Sequence, residues 1–140
     1  MKTITPHLTF AGNCEEALTF YKESLSGEIV SLERFWDNSA GLEEDQQKMV
    51  KYAELYLGED SIFASDIPMA LSKKTPVSNV KICIGLDDAE EAAICFTNLA
   101  KGGFVQTPLH DAADTSKFGE LTDKFGVQWV IVYVKPDSKK

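Results

Sequence analysis

Two histidines, His7 and His110, and three cysteines, Cys14, Cys83 and Cys95, are the side chains with most scope for acid–base, nucleophilic or metal chemistry. Neither histidine has a Ser or Cys partner in its sequence neighbourhood, and no G-x-S-x-G elbow is present, so a nucleophile–base pair has no local support. The cysteines are odd in number and lack C-x-x-C spacing, which points to reduced thiols rather than a disulfide framework or a zinc knuckle. Cys14 falls in the first turn of a predicted helix, where the helix dipole could lower its pKa and make it reactive. The plainer reading is a small residue in a helix. No G-x-G-x-x-G or G-x-x-x-x-G-K-[ST] loop exists to cradle a nucleotide phosphate.

Hydrophobic periodicity shows which elements must position these groups. ITPHLTF (4–10) reads as a strand with an early proline. A helix follows, with Asn13 as N-cap, Glu16 completing a capping box, Ala17, Phe20, Tyr21, Ser24 and Leu25 at helical spacing, and Gly27 as the stop. EIVSLERFW (28–36) is a strand, and the acidic 37–48 segment is a loop with room for one helical turn. MVKYAELYLG and DSIFASDIP form a hairpin around Gly58–Asp60, and 69–79 resembles a linker. The pattern then restarts: a strand over 80–86, a helix with Asp88 as N-cap and Glu91 completing its box, a strand from Phe104, and a closing hairpin over 118–134. In that hairpin Gly126 allows a positive φ, Asp123 can hydrogen-bond the turn's backbone, and Phe125 and Trp129 can pack on the sheet.

Offset by 75 residues, the chain matches Asn13 with Asp88, Glu15-Glu16-Ala17 with Glu90-Glu91-Ala92, Gly27 with Gly102 and Val30 with Val105. Each half is a β-α-β-β-β module, about 1–68 and 80–136, within one α+β domain spanning 1–140. A single module would leave a sheet face bare, so two sharing an interior are expected. The net charge of −8 and pI near 4.7 disfavour nucleic acid and anionic membrane surfaces. No apolar run reaches a membrane span and the N-terminus lacks a signal-peptide layout, so a cytoplasmic protein with a small-molecule or protein partner is expected.

Paired modules of this kind resemble the vicinal oxygen chelate superfamily, which includes glyoxalase I, the extradiol dioxygenases and the bleomycin resistance proteins. TPHLTFAGNCEEALTFYKESLSGEI, YAELYLGEDSIFASDIP and GELTDKFGVQWVIV are similar to the opening segment, central hairpin and Asp-x-Phe-Gly-x-x-Trp signature of its PhnB-like branch. The resemblance implies a glyoxalase/bleomycin-resistance-like fold. Two positions depart from the branch: Asp114-Thr115 stands where an aromatic residue is common, and Tyr52 where His is frequent. Some PhnB-like proteins carry a demethylubiquinone methyltransferase label. This chain has no glycine-rich cofactor loop, and that activity is discounted.

In the superfamily's metalloenzymes a divalent ion sits in the cleft of a module pair, held by His and Glu from first and last strands. Counting from the helices and the hairpin glycine puts those positions at Pro6, Lys81, Val130 and at or near Ala64. None can ligate, so a divalent metal is disfavoured and no cofactor is expected. His7 is one residue away, but alternation puts it on the face opposite Pro6, so a slip or bulge would be needed to aim it into the cleft. A shifted set of His7, Glu54 and His110 keeps open a metal-dependent lyase, isomerase or dioxygenase that polarises vicinal oxygens. The leading expectation is a homodimeric, metal-free small-molecule-binding protein. Its pocket would draw on Phe10, Tyr52, Phe63 and Trp129, with Asp66 and Lys81 as polar anchors. Whether any reaction is catalysed stays open.

Overall fold

The computed structural model describes residues 4–35, 43–67, 80–112 and 116–135. The chain divides into two compact units, Met1–Lys74 and Thr75–Lys140. The expected linker at 69–79 and Asp114-Thr115 lie outside the described residues.

The first unit runs β1 (His7–Phe10), α1 (Cys14–Leu25), β2 (Glu28–Arg34), α2 (Glu44–Gln47), β3 (Val50–Leu57) and β4 (Asp60–Asp66). Its sheet has the order β1-β4-β3-β2, with β1 parallel to β4 and the other pairs antiparallel. The second unit runs β5 (Ile82–Leu86), α3 (Ala89–Ala100), β6 (Phe104–Asp111), β7 (Lys117–Thr122) and β8 (Gln128–Tyr133), in the order β5-β8-β7-β6. The single turn α2 occupies the acidic segment where one was expected. No helix among the described residues is long and apolar enough to cross a membrane.

In each unit the helix covers one sheet face. Cys14, Ala17, Leu18, Tyr21 and Ser24 are the buried stripe of α1, at the i, i+3, i+4 spacing that faces a helix to a core. Phe20 and Leu25, expected in that stripe, are only half-buried because it centres on Leu18. Ala53, Leu55, Ile62 and Ala64 form the covered face of the first sheet, each at most 3% exposed. In the second unit α3 buries Ala92, Cys95, Phe96 and Leu99, and Leu121, Trp129 and Ile131 are the buried positions of the sheet. Phe96 lies directly above Gly119, so close that a Cβ there would stand 2.7 Å from its ring.

Helix termini depart from expectation in instructive ways. Asn13 makes no side-chain cap; the amides of Gly12 and Cys14 are instead taken by Asp66 Oδ1, at 2.8 and 2.9 Å. Asp88 caps α3 directly, accepting from the amides of Glu90 and Glu91. After α1 the left-handed residue is Ser26, φ 58°, not Gly27. Gly27 is needed for close approach, because a Cβ there would meet the Tyr56 carbonyl oxygen at 2.7 Å.

The β7–β8 hairpin is built around Asp123, 3% exposed. Its Oδ1 accepts from the amides of Phe125 and Val127, and its Oδ2 from Trp129 Nε1 at 2.8 Å. Gly126, φ 90°, supplies the turn conformation that a side chain would resist. Asp123→Ala would leave two turn amides and a buried indole N–H without their acceptor. The expected loss is roughly 2–4 kcal/mol of unfolding free energy in urea, and a loss below about 1 kcal/mol would show that the cluster is dispensable.

Candidate functional site

The face of each sheet not covered by its helix carries the remaining chemistry. Directly opposed residues in a ladder share a face, so the strand registers assign it. In the first unit His7 pairs with Phe63, Phe63 with Glu54, Glu54 with Ser31, and Tyr52 with Glu33. These residues, with Ser61 and Ser65, lie on the open face. Tyr52 and Phe63 form a tilted ring pair with centroids 5.4 Å apart, and His7 meets Phe63 edge-on at 6.4 Å. His7 Nε2 is 3.0 Å from Ser65 Oγ, and Ser61 Oγ donates to Glu54 Oε2 at 2.8 Å. Loss of solvent around the Tyr52 hydroxyl, and then the charges of Glu54 and Glu33, push its pKa up.

The open face of the second unit is electrically balanced. Lys81 Nζ donates to Glu120 Oε2 at 2.5 Å, Thr107 Oγ1 donates to Oε1 at 3.1 Å, and the Lys81 contact foremost holds the Glu120 carboxyl below its usual range. Cys83 pairs with Val130 on this face and is exposed. His110 is exposed at the edge strand β6, with Nδ1 2.8 Å from the Pro108 carbonyl oxygen and its ring edge-on to Phe118.

Several sequence assignments change as a result. His7 needs neither slip nor bulge, because Phe63 beside it is on the open face and Ala64 is on the covered one. The cause is one residue of loop. Phe10 and Leu86 are equivalent, since each accepts the amide that ends its strand pair, from Ile67 and Val134 respectively. Ala11 and Gly12 separate Phe10 from the cap Asn13, whereas Asp87 alone separates Leu86 from Asp88. The 75-residue register therefore aligns the helices but is out of step by one in the strands. The counterpart of His7 is Cys83, Lys81 is not the counterpart of Pro6, and Phe63, not Ala64, is the counterpart of Val130.

Three of the expected pocket residues are structural. Trp129 is fully buried on the covered face and bound to Asp123, and Phe10 is 7% exposed on the covered face. Asp66, 4% exposed, accepts from Gly12, Cys14 and Val50 amides and has no role as an anchor on the open face. Tyr52 and Phe63 do lie together, and Lys81 lies on the open face of the other unit. Sequence reading missed Ser61, Ser65 and Glu33; alternation from Phe63 and Tyr52 through the hairpin was the signal for the first two. His7 and Glu54 flank Phe63 and each has a serine partner. Among the described residues no three His, Cys, Asp or Glu side chains are placed to hold a metal ion.

Two four-stranded sheets, each with one helix-covered face, define an α+β protein of the glyoxalase/bleomycin-resistance-like fold. A glyoxylase/bleomycin resistance protein/dioxygenase domain from Frankia sp. EAN1pec shares it with a TM-score of 0.67 at 13% identity, over 96% of this chain and 98% of that one. Within this fold the chain belongs to the 3-demethylubiquinone-9 3-methyltransferase family, whose profile matches residues 2–132, the PhnB-like branch of the superfamily. The structure of PA1353 from Pseudomonas aeruginosa is 33% identical with a TM-score of 0.81, covering 96% of this chain and 99% of that chain. A putative 3-demethylubiquinone-9 3-methyltransferase, PhnB protein, from Bacillus cereus is 28% identical with a TM-score of 0.79, covering 95% and 100%. Protein YjdN of Escherichia coli K12 is 27% identical over 94% of this chain and 95% of its own length.

Cys14 is not the reactive thiol that its place in the first helical turn allowed. Burial, followed by the nearby Asp66 and Glu15 charges, pushes its pKa from 9.0 up to about 12, and burial foremost raises that of Cys95. A thiol reagent at neutral pH should label Cys83 at once and the other two only on unfolding. The folded state binds the Cys14 proton more tightly than the unfolded chain, so this contribution is complete below about pH 9 and is lost as pH rises toward 12. Urea midpoints should fall across that window. In Cys14→Ala the part of the fall due to this thiol should disappear.

Proposed function

We propose that this protein binds a small organic molecule without a metal ion, as a cytoplasmic homodimer. The supporting observation is the order of residues across the open face of the first sheet: between His7 and Glu54, where a metal site would need a converging donor, stands Phe63, packed against Tyr52. An aromatic floor edged by hydroxyl, imidazole and carboxylate groups suits an organic ligand held by apolar contact and a few directed hydrogen bonds. Three free thiols accord with a reducing compartment. Methyl transfer, the activity in the family's description, is not carried over, because the sequence contains no glycine-rich cofactor loop.

Calorimetric titration of chelator-free protein with Zn²⁺ or Ni²⁺ should show weak binding at most. Stoichiometric micromolar binding that is lost in His7→Ala would overturn the metal-free reading. Sedimentation at micromolar concentration should give about twice the 15.5 kDa chain mass. A species of single-chain mass would remove the dimer from the proposal.

A further inference from the structure

The open face of the first sheet selects charge as well as shape. Its two central rings, Tyr52 and Phe63, are each directly opposed by a carboxylate, Glu33 across β2–β3 and Glu54 across β3–β4. The rings touch at a tilt of 56°, so their faces and the flanking carboxylates alternate across three strands. Tyr52, Phe63 and Glu54 are half-buried and Glu33 is exposed, which leaves the arrangement within reach of a ligand. Glu54 is met by a neutral hydroxyl, that of Ser61, rather than by a cation. Among the described residues neither Glu33 nor Glu54 forms an ion pair; Arg34, next to Glu33 in β2, points to Glu15 at 2.9 Å and to the Lys48 carbonyl oxygen. The contrast with the second sheet, where Lys81 neutralises Glu120, shows that this unneutralised charge is particular to the first.

Aromatic ring faces and carboxylates are both negative to an approaching group, and together they favour a positive charge on an apolar body. We infer that the open face of the first unit binds an organic cation, an aromatic or alkyl ammonium compound, with its apolar body on Tyr52 and Phe63 and its charge near Glu33 and Glu54. The inference rests on the small-molecule-binding reading and names its ligand class. The raised pKa of the Tyr52 hydroxyl, caused first by loss of solvent and then by the Glu54 and Glu33 charges, agrees with it.

The test compares benzyltrimethylammonium, phenylmethanesulfonate and neutral N-benzylacetamide by calorimetry and by chemical-shift changes on the intact protein. The ammonium probe should bind at least tenfold tighter than the sulfonate and shift the Tyr52 and Phe63 resonances. Glu33→Gln and Glu54→Gln should each reduce that preference severalfold while circular dichroism and the urea midpoint stay unchanged. A sulfonate or neutral probe that binds as tightly, or a preference that survives both substitutions, would overturn the cation inference and leave the binding reading standing. Failure of all three probes to bind at millimolar concentration would overturn both.

Discussion

A single buried carboxylate organises the first unit. Asp66 ends β4, and its two oxygens reach the amides of Gly12 in the β1–α1 turn, Cys14 at the start of α1 and Val50 at the start of β3. A carboxylate at 4% exposure would be strongly disfavoured without such donors, and these amides would otherwise be unsatisfied at a helix start. The three bonds join two strands, a turn and a helix in one place. They hold α1 over the Ala53, Leu55, Ile62 and Ala64 side of the sheet. The opposite side is thereby left to His7, Tyr52, Glu54, Phe63 and Ser65.

That division of labour explains how one architecture hosts different chemistries. Covered-face residues are fixed by packing under a helix, as the Phe96–Gly119 contact illustrates. Open-face residues have no such constraint. Equivalent positions hold His7 and Cys83, or Phe63 and Val130, without altering strand order or register type. A fold shared with a Frankia domain at 13% identity fits the same principle, since a fold specifies layers and leaves the site to individual side chains.

Elements and repeat were legible in the sequence because they rest on local periodicity: the α1 and α3 stripes, the alternating hairpins, and the Asp123–Gly126 turn all come from residues close in the chain. Facing was legible only in part. Alternation within β1 separates His7 and Thr9 from Leu8 and Phe10, but which pair meets the helix depends on where the loop delivers the chain. The extra residue between Phe10 and Asn13 changed that parity and carried the candidate metal positions to Pro6 and Ala64. Asp66 was misread for another reason. Its partners are as far away as Gly12, and nothing near it in sequence marks it as a helix clasp. Trp129 sat in a motif rightly read as structural, and its burial follows from the indole's bond to Asp123.

The two helix starts also differ in when they can be completed. Asp88 satisfies the first amides of α3 from residues two and three positions away, so that helix carries its own nucleus. Cys14 at the head of α1 depends on a carboxylate 52 residues further along the chain. The entropy of closing that loop must be met before the bond can form, which places the clasp among the non-local contacts that slow folding. During synthesis α1 leaves the ribosome well before Asp66 exists to hold it. The first helix thus waits for 52 further residues of chain before its clasp exists, whereas α3 is fastened as soon as its own first turn has emerged.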